Sequence, residues 1–123
     1  MNTVVWIVQI LLALTFLASG IMKLAQPVEK LAKLMGWVKD FSPGIVRAIG
    51  AVEVLGALGL ILPAWTGILP WLTPLAAVGL VLTMIGASLE HARRKEFPMM
   101  AAPVILGLIA FFVIYGRVIA TGT

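Results

Sequence analysis

Residues 44–62 of the chain are GIVRAIGAVEVLGALGLIL, an apolar stretch whose only charged residues are Arg47 and Glu53. A helix that crosses a membrane needs about 20 mainly apolar residues, and this stretch has that length. Residues 4–24, 74–89 and 99–116 have the same character, and the apolar residues 68–72 extend the third stretch. The chain is 62% hydrophobic and 11% charged, whereas soluble domains carry about 25% charged residues. The composition therefore predicts an integral membrane protein.

The four stretches predict an all-α fold, an antiparallel up-down bundle of four transmembrane helices that forms one domain over residues 1–123. We expect helices at about residues 4–24, 44–62, 68–91 and 99–119. Ser42-Pro43 and Thr73-Pro74 each place a capping side chain before a proline, which predicts a helix start at each position. Pro63 predicts the end of the second helix.

The charged residues predict how the bundle is oriented. Eight of the nine basic residues flank the first or third connection, and only Arg117 lies beyond the fourth helix. The positive-inside rule makes that side cytoplasmic and leaves both termini outside the cytoplasm. The net charge of +4 is then a topology signal, and we expect no nucleic-acid partner. Because no Lys or Arg precedes Lys23, the first helix lacks the basic start of a signal peptide and is expected to be retained.

The first connection carries an amphipathic pattern at residues 28–36. Val28, Leu31, Leu34 and Met35 recur at helical spacing, and Gly36 predicts the end of the segment. This pattern is typical of a short helix on the membrane surface. The segment is either an interfacial anchor or a helix on which a partner docks.

Each transmembrane helix carries a stripe of small and polar residues, the kind of surface through which helices associate in lipid. The stripes are Gln9, Ala13, Phe16, Gly20 and Lys23 on the first helix; Gly50, Glu53, Gly56 and Ala57 on the second; Ala76, Gly79, Thr83, Gly86 and Glu90 on the third; Pro103, Gly107 and Ala110 on the fourth. They predict a tight bundle with little room for a wide pore.

Glu53 is the main candidate for a functional residue. It lies nine residues beyond Gly44, about 13 Å along the helix and near the middle of a membrane. A carboxyl group at that depth is costly and needs an interior partner, for which Thr83, Lys23 and Ser19 are candidates. Glu53 either belongs to a ligand, proton or quinone site, or is a hydrogen-bonded carboxyl that determines helix packing.

A second polar cluster is predicted at the cytoplasmic mouth of the bundle, formed by Lys23, Ser88, Glu90, His91 and Arg93. It is either a solvated helix end or a site where His91, beside a carboxylate, moves protons. His91 is the only histidine and the chain has no cysteine, so we expect no metal or haem site.

Four short segments in this order resemble the DoxX-like family of small four-helix membrane proteins. They are SGIMKL at residues 19–24, RAIGAVEVLG at 47–56, LILP at 60–63 and EHARR at 90–94. The resemblance implies a four-helix transmembrane fold in a bacterial or archaeal inner membrane. Some members are named as subunits of a thiosulfate:quinone oxidoreductase, and others are associated with thiol and oxidative-stress partners. Lys23, Glu53 and His91 occupy positions in these segments, but no role comes with them.

Three functions are consistent with these features. The first is a non-enzymatic accessory or assembly subunit, because no complete catalytic constellation is present and partners or further copies of the chain would explain the packing surfaces. The second is a quinone- or lipid-linked redox subunit, or a binder of a small hydrophobic ligand, that uses Glu53. The third is a proton-coupled transporter that works as an oligomer, although the paired broken helices of such proteins are missing.

Overall fold

The fold consists of five α-helices in a computed structural model that describes residues 2–120. They are α1 (Asn2–Ala25), α2 (Val28–Leu34), α3 (Pro43–Thr66), α4 (Leu72–Arg93) and α5 (Ala101–Tyr115). 3₁₀ turns at Gly36–Asp40 and Phe97–Met100 precede α3 and α5, and a π-helical turn, Gly116–Ala120, follows α5. Residue 1 and residues 121–123 of the predicted domain lie outside the described residues.

The four long helices form the predicted all-α bundle. Asn2–Ala25, Pro43–Thr66, Leu72–Arg93 and Phe97–Ile119 are each long and apolar enough to cross a membrane. In the bundle α1 packs on α3, α3 on α4, and α4 on α5. We call the end with connections 26–42 and 94–100 the basic end, and the end with connection 67–71 the opposite end.

The buried faces match the predicted stripes on α1, most of α3 and α5, but not on α4. The buried residues of α4 are Thr73, Ala77, Leu80 and Met84. Leu80 and Met84 pack against Ala57 and Ala110 in the core, whereas a methyl group added at Gly79 or Gly86 would meet no atom within 4 Å. Gly79 and Gly86 therefore do not make the tight helix contact that the sequence predicted, whereas Ala76 does lie close to α3, since a Cβ atom built on Gly59 would lie 2.7 Å from Cβ of Ala76.

The closest approach of two helices occurs where α1 crosses α3. A Cβ atom built on Gly20 would lie 2.6 Å from the carbonyl oxygen of Gly50, and one built on Gly50 would lie 2.8 Å from Cβ of Lys23. Only glycine permits two backbones to approach so closely, as small residues do at other membrane helix crossings. This crossing determines the register in which α1 faces α3.

One predicted helix cap is confirmed at the helix ends, and three other predictions of where a helix starts or ends are wrong. Ser42 caps α3 by accepting a hydrogen bond from the backbone N–H of Ile45 at 3.3 Å. Pro63 does not end α3, because a proline φ angle is helical and transmembrane helices tolerate the missing N–H. The helix continues to Thr66 and ends at Gly67, whose φ of 73° is left-handed. Thr73 is buried inside the first turn of α4, which begins at Leu72, and makes no cap.

The third corrected signal is Gly36, which begins the 3₁₀ turn instead of ending α2. Buried Leu31 of α2 and Val38 of that turn pack against Val46 of α3, and Trp37 and Phe41 pack around them. The predicted amphipathic helix is therefore folded against the basic end of the bundle.

Candidate functional site

A buried ion pair lies near the middle of the bundle, between Lys23 of α1 and Glu53 of α3. Nζ of Lys23 is 2.6 Å from Oε1 of Glu53, and the two side chains are only 8% and 3% exposed. Glu53 follows Pro43, the first residue of the 24-residue helix α3, by ten positions, which is about 15 Å along the axis. The structure thus gives the mid-membrane carboxylate a cationic partner.

The helix geometry explains why these two side chains meet. Side chains on a helix lean toward its N-terminus, so on antiparallel helices Lys23 leans toward the bundle centre and Glu53 toward the basic end. Each residue lies three positions after a glycine of the tight crossing, Gly20 or Gly50. The close approach of α1 and α3 therefore places the two charges within direct contact.

Ser19 completes a triangle of hydrogen bonds with this pair. Nζ of Lys23 donates to Oγ of Ser19 at 2.6 Å, and that hydroxyl donates to Oε2 of Glu53 at 3.1 Å. Ser19 precedes Lys23 by four positions and lies on the same helical face. We refer to Ser19, Lys23 and Glu53 together as the polar triad.

Arg47 binds the end of α1 that carries Lys23 of the triad, a role that the sequence did not predict. Its guanidinium donates to the backbone carbonyl of Lys23 and, at 2.6 Å, to that of Gln26. The last carbonyls of a helix have no partner within the helix, and a cation satisfies them well. The proximity of Arg47 to the end of α1 depends on the crossing of α1 and α3, which no local pattern of the sequence reveals.

The triad forms part of the wall of a cavity of about 700 Å³. The apolar part of this wall comes from all five helices and from the segment between α2 and α3. Its apolar residues include Phe16, Leu34, Met35, Trp37, Phe41, Ile49, Met84, Met99, Pro103 and Leu106. The sequence predicted a tight bundle with little room for a wide pore, and it did not predict this cavity. Gly86 of α4 lies in its wall, and a Cβ atom built there would meet no atom within 4 Å.

Thr83 lines this cavity but does not bond to Glu53 as predicted. Its hydroxyl donates to the carbonyl of Gly79 at 2.8 Å, within its own helix. Threonine in a helix often makes this bond to the residue four positions earlier, which satisfies its hydroxyl locally. Thr83 is therefore a wall residue of the cavity and not a partner of the carboxylate.

Part of the cluster predicted at the basic end is present there, and its side chains pair with residues that were not among those predicted. Arg93 bonds to Glu90, with Nε 3.0 Å from Oε2, and to Asp40, with an ion-pair distance of 2.7 Å. Nδ1 of His91 lies 3.0 Å from Oε1 of Glu96. Arg94 pairs with both Asp40 and Glu96. The network links the 3₁₀ turn before α3 to the end of α4.

Two other predicted members of this cluster lie elsewhere. Lys23 belongs to the polar triad, and the hydroxyl of Ser88 donates to the carbonyl of Met84 at 2.8 Å. Glu90 and His91 line the same cavity as Glu53. These two residues of the second candidate site thus share a cavity wall with the first site, whereas Ser88 and Arg93 do not line it.

Two carboxylates at the basic end, Asp40 and Glu96, have lowered pKa values. A hydrogen bond from Arg94 holds the pKa of Asp40 below its usual value of 3.8. The pKa of Glu96 is likewise held below 4.5, mainly by its hydrogen bond with His91 and further by Arg94. Both groups are accessible to water, so these are surface ion pairs.

A second buried polar group, which the sequence analysis did not predict, lies at the opposite end of the bundle. The Arg117 guanidinium donates to the side chains of Gln9 and, at 2.8 Å, Asn2, and lies 4.8 Å from the ring centroid of Trp6. The Gln9 amide donates to the carbonyl of Leu60. None of these residues lines the large cavity, so this group joins the helix ends and does not extend the candidate site.

A sequence model of the DoxX-like family matches residues 7–113, which include the whole polar triad and the cluster of Glu90 and His91. The chain belongs to the DoxX-like family. No curated protein and no solved structure matches it. This DoxX-like protein is accordingly a multi-pass membrane protein with four transmembrane helices, and its site has to be interpreted from its own geometry.

The geometry of the site combines a buried polar group with an apolar wall. Among residues 2–120, no three His, Cys, Asp or Glu side chains are grouped so that they could hold a metal ion. The triad offers a hydrogen-bonded pair of opposite charges beside an apolar wall. A ligand pocket typically combines an extensive apolar lining with a few converging polar groups, and this DoxX-like protein has both.

Proposed function

We propose that this DoxX-like protein binds one small amphipathic ligand inside the membrane, in the cavity beside Glu53. The observation that carries the proposal is the cavity itself, which has about 700 Å³ and a mostly apolar wall with the buried polar triad in it. This volume lies within the range of about 300–1,000 Å³ that is typical of small-molecule sites. A lipophilic molecule with a polar head group, such as a quinone or a lipid fragment, fits that description.

The energetics of the ion pair support a role beyond packing. A buried ion pair contributes little net stability, because desolvation of both charges offsets their attraction. The contact between α1 and α3 already rests on the crossing of Gly20 and Gly50. Helix packing therefore does not require the two charges. A ligand that forms hydrogen bonds to Lys23 and Glu53 would give these charges a function.

The test is to identify and quantify lipophilic molecules that co-purify with the protein. We expect mass spectrometry of extracts from purified wild type to show one enriched small amphiphile. Glu53→Gln should lose most of it, because a lost hydrogen bond to a charged group costs about 1.5–3 kcal/mol, which is about tenfold or more in affinity. Glu29→Gln is the matched control, since Glu29 is exposed on α2. Equal retention by wild type and Glu53→Gln would remove Glu53 from the site.

A second candidate function is that of an accessory subunit, favoured by an apolar groove between α1 and α5. The groove has about 380 Å³ and is lined mainly by aliphatic residues, among them Leu11, Leu12, Ile105 and Leu108. A transmembrane helix of a partner protein would fill it through close packing. Cross-linking from Leu108 in native membranes would trap such a partner, and recovery of lipid adducts alone would exclude it.

We further propose that the protein lies in the inner membrane of a prokaryote with both termini outside the cytoplasm. The support is the alternation of the helices, which places connections 26–42 and 94–100, and eight of the nine basic residues, at one end. That end would face the cytoplasm by the positive-inside rule.

A further inference from the structure

The charged groups of the cavity wall are already paired with one another within the protein. Lys23 pairs with Glu53 at 2.6 Å. Glu90 accepts a hydrogen bond from Arg93 at 3.0 Å, and His91 lies 3.0 Å from Glu96. A ligand that carried a net charge would enter a low-dielectric space without a counterion of its own. Such an uncompensated charge costs several kcal/mol in a buried site.

The polar triad nevertheless retains hydrogen-bonding capacity on both of its charged members. An ammonium group has three N–H donors, and Lys23 directs two of them to Ser19 and Glu53. Each oxygen of a carboxylate accepts about two hydrogen bonds. Among the described residues, Oε2 of Glu53 accepts one, from Ser19 at 3.1 Å. The third N–H of Lys23 and at least one acceptor position of Glu53 thus remain for a ligand, and Nζ of Lys23 also lies 5.9 Å from the ring centroid of Trp37.

We infer that the ligand head group is uncharged and both accepts and donates hydrogen bonds, as an alcohol, a primary amide or a quinol does; an oxidised quinone only accepts and does not meet this requirement. This inference rests on the proposed function and adds the chemical class of the ligand. The head group accepts from Lys23 and donates to Glu53, while the apolar part of the molecule lies against Phe16, Trp37 and Phe41. The pairing of Lys23 with Glu53 excludes anions and cations alike, because either ion would leave one charge uncompensated.

The experiment compares four probes with the same ten-carbon chain and different head groups. They are decanol, decanamide, decanesulfonate and decyltrimethylammonium, each brominated on the chain so that it quenches tryptophan fluorescence. The protein is held in nanodiscs of uncharged lipid, and each affinity is corrected for partitioning of the probe into lipid. Trp37 lines the cavity and Trp6, Trp65 and Trp71 do not, so Trp37→Phe reports the quenching that arises outside the site.

In wild type we expect decanol and decanamide to bind at least about tenfold more tightly than either ion, a lower bound given the cost of an uncompensated buried charge. Glu53→Gln leaves Lys23 unpaired and should shift the preference to the sulfonate. Lys23→Met leaves Glu53 unpaired and should shift it to the trimethylammonium ion. Glu29→Gln, at an exposed position of α2 that does not line the cavity, should keep the order of wild type.

The outcomes separate this inference from the proposed function. Tightest binding of an ionic probe to wild type would overturn the inference and leave the binding function intact. An unchanged order in both single-charge variants would also overturn it. If no probe quenches Trp37 in wild type, both the inference and the proposed function fail. Where the single-charge variants do not fold, the order of the four probes in wild type decides alone.

Discussion

At the scale of single residues, the ion pair between Lys23 and Glu53 is the most consequential feature. Its two side chains are almost inaccessible, so removal of one charge leaves the other buried without a partner. We expect Lys23→Met to lower the free energy of unfolding by about 3–5 kcal/mol. The double variant Lys23→Met/Glu53→Gln should recover most of that loss, because no charge remains buried.

Unfolding of the purified protein in detergent micelles with a denaturing detergent measures both variants. Lys33→Met serves as the control, since Lys33 is exposed on α2. The double variant could instead lose as much free energy of unfolding as the two single variants together. That result would show that Lys23 and Glu53 are not energetically coupled and would contradict the ion pair.

The surface carboxylates of the basic end predict a dependence on pH. The folded-state pKa of Asp40 is depressed below 3.8, so the stabilisation from its pairs with Arg93 and Arg94 is fully present above pH 3.8. It is lost as the pH falls through the lower folded-state value. We therefore expect hydrogen exchange of residues 36–41, corrected for its intrinsic pH dependence, to accelerate below pH 3.8 in wild type. Asp40→Asn should show the faster exchange already at neutral pH, and Lys39→Gln should behave as wild type.

At the scale of the helices, the crossing of α1 and α3 depends on two glycines. A methyl group on Gly20 would lie 2.6 Å from the backbone oxygen of Gly50, and backbone cannot move aside locally. We expect Gly20→Ala to separate the helices and lower the melting temperature by several degrees, as a loss of about 1–3 kcal/mol would do.

Gly79→Ala provides the matched control within the same bundle. A methyl group there meets nothing within 4 Å, and alanine is the better helix former by up to about 1 kcal/mol. The control should be neutral or slightly stabilising. Equal melting temperatures for Gly20→Ala and Gly79→Ala, measured in the same detergent, would contradict the close approach of α1 and α3.

At the scale of the whole molecule, the alternating helices and the basic end predict a topology. The chain has no cysteine, so single cysteines can be introduced without other changes. Lys39→Cys and Lys95→Cys should react with an impermeant thiol reagent only from the cytoplasmic side. Ile68→Cys, in the connection at the opposite end, should react only from outside. Labelling of Ile68→Cys from the cytoplasm would invert the proposed orientation.

The sequence by itself was sufficient to predict the number and nature of the helices. Spanning length and hydropathy are local properties, and lipid requires every spanning segment to satisfy its backbone hydrogen bonds internally. The same reasoning identified Glu53 as a residue in need of a partner. It also named Lys23 and Ser19 among the candidates, because a charge at that depth is costly wherever the helix lies.

Only the tertiary structure decided which of these residues meet and where space remains. Lys23 reaches Glu53, and Thr83 does not, because the crossing at Gly20 and Gly50 sets the register between α1 and α3, and no local pattern encodes that register. The buried face of α4 differs from its small-residue stripe because Leu80 and Met84 fill the core. Packing of this kind depends on the volumes of all the helices at once, and the cavity beside Glu53 is its result.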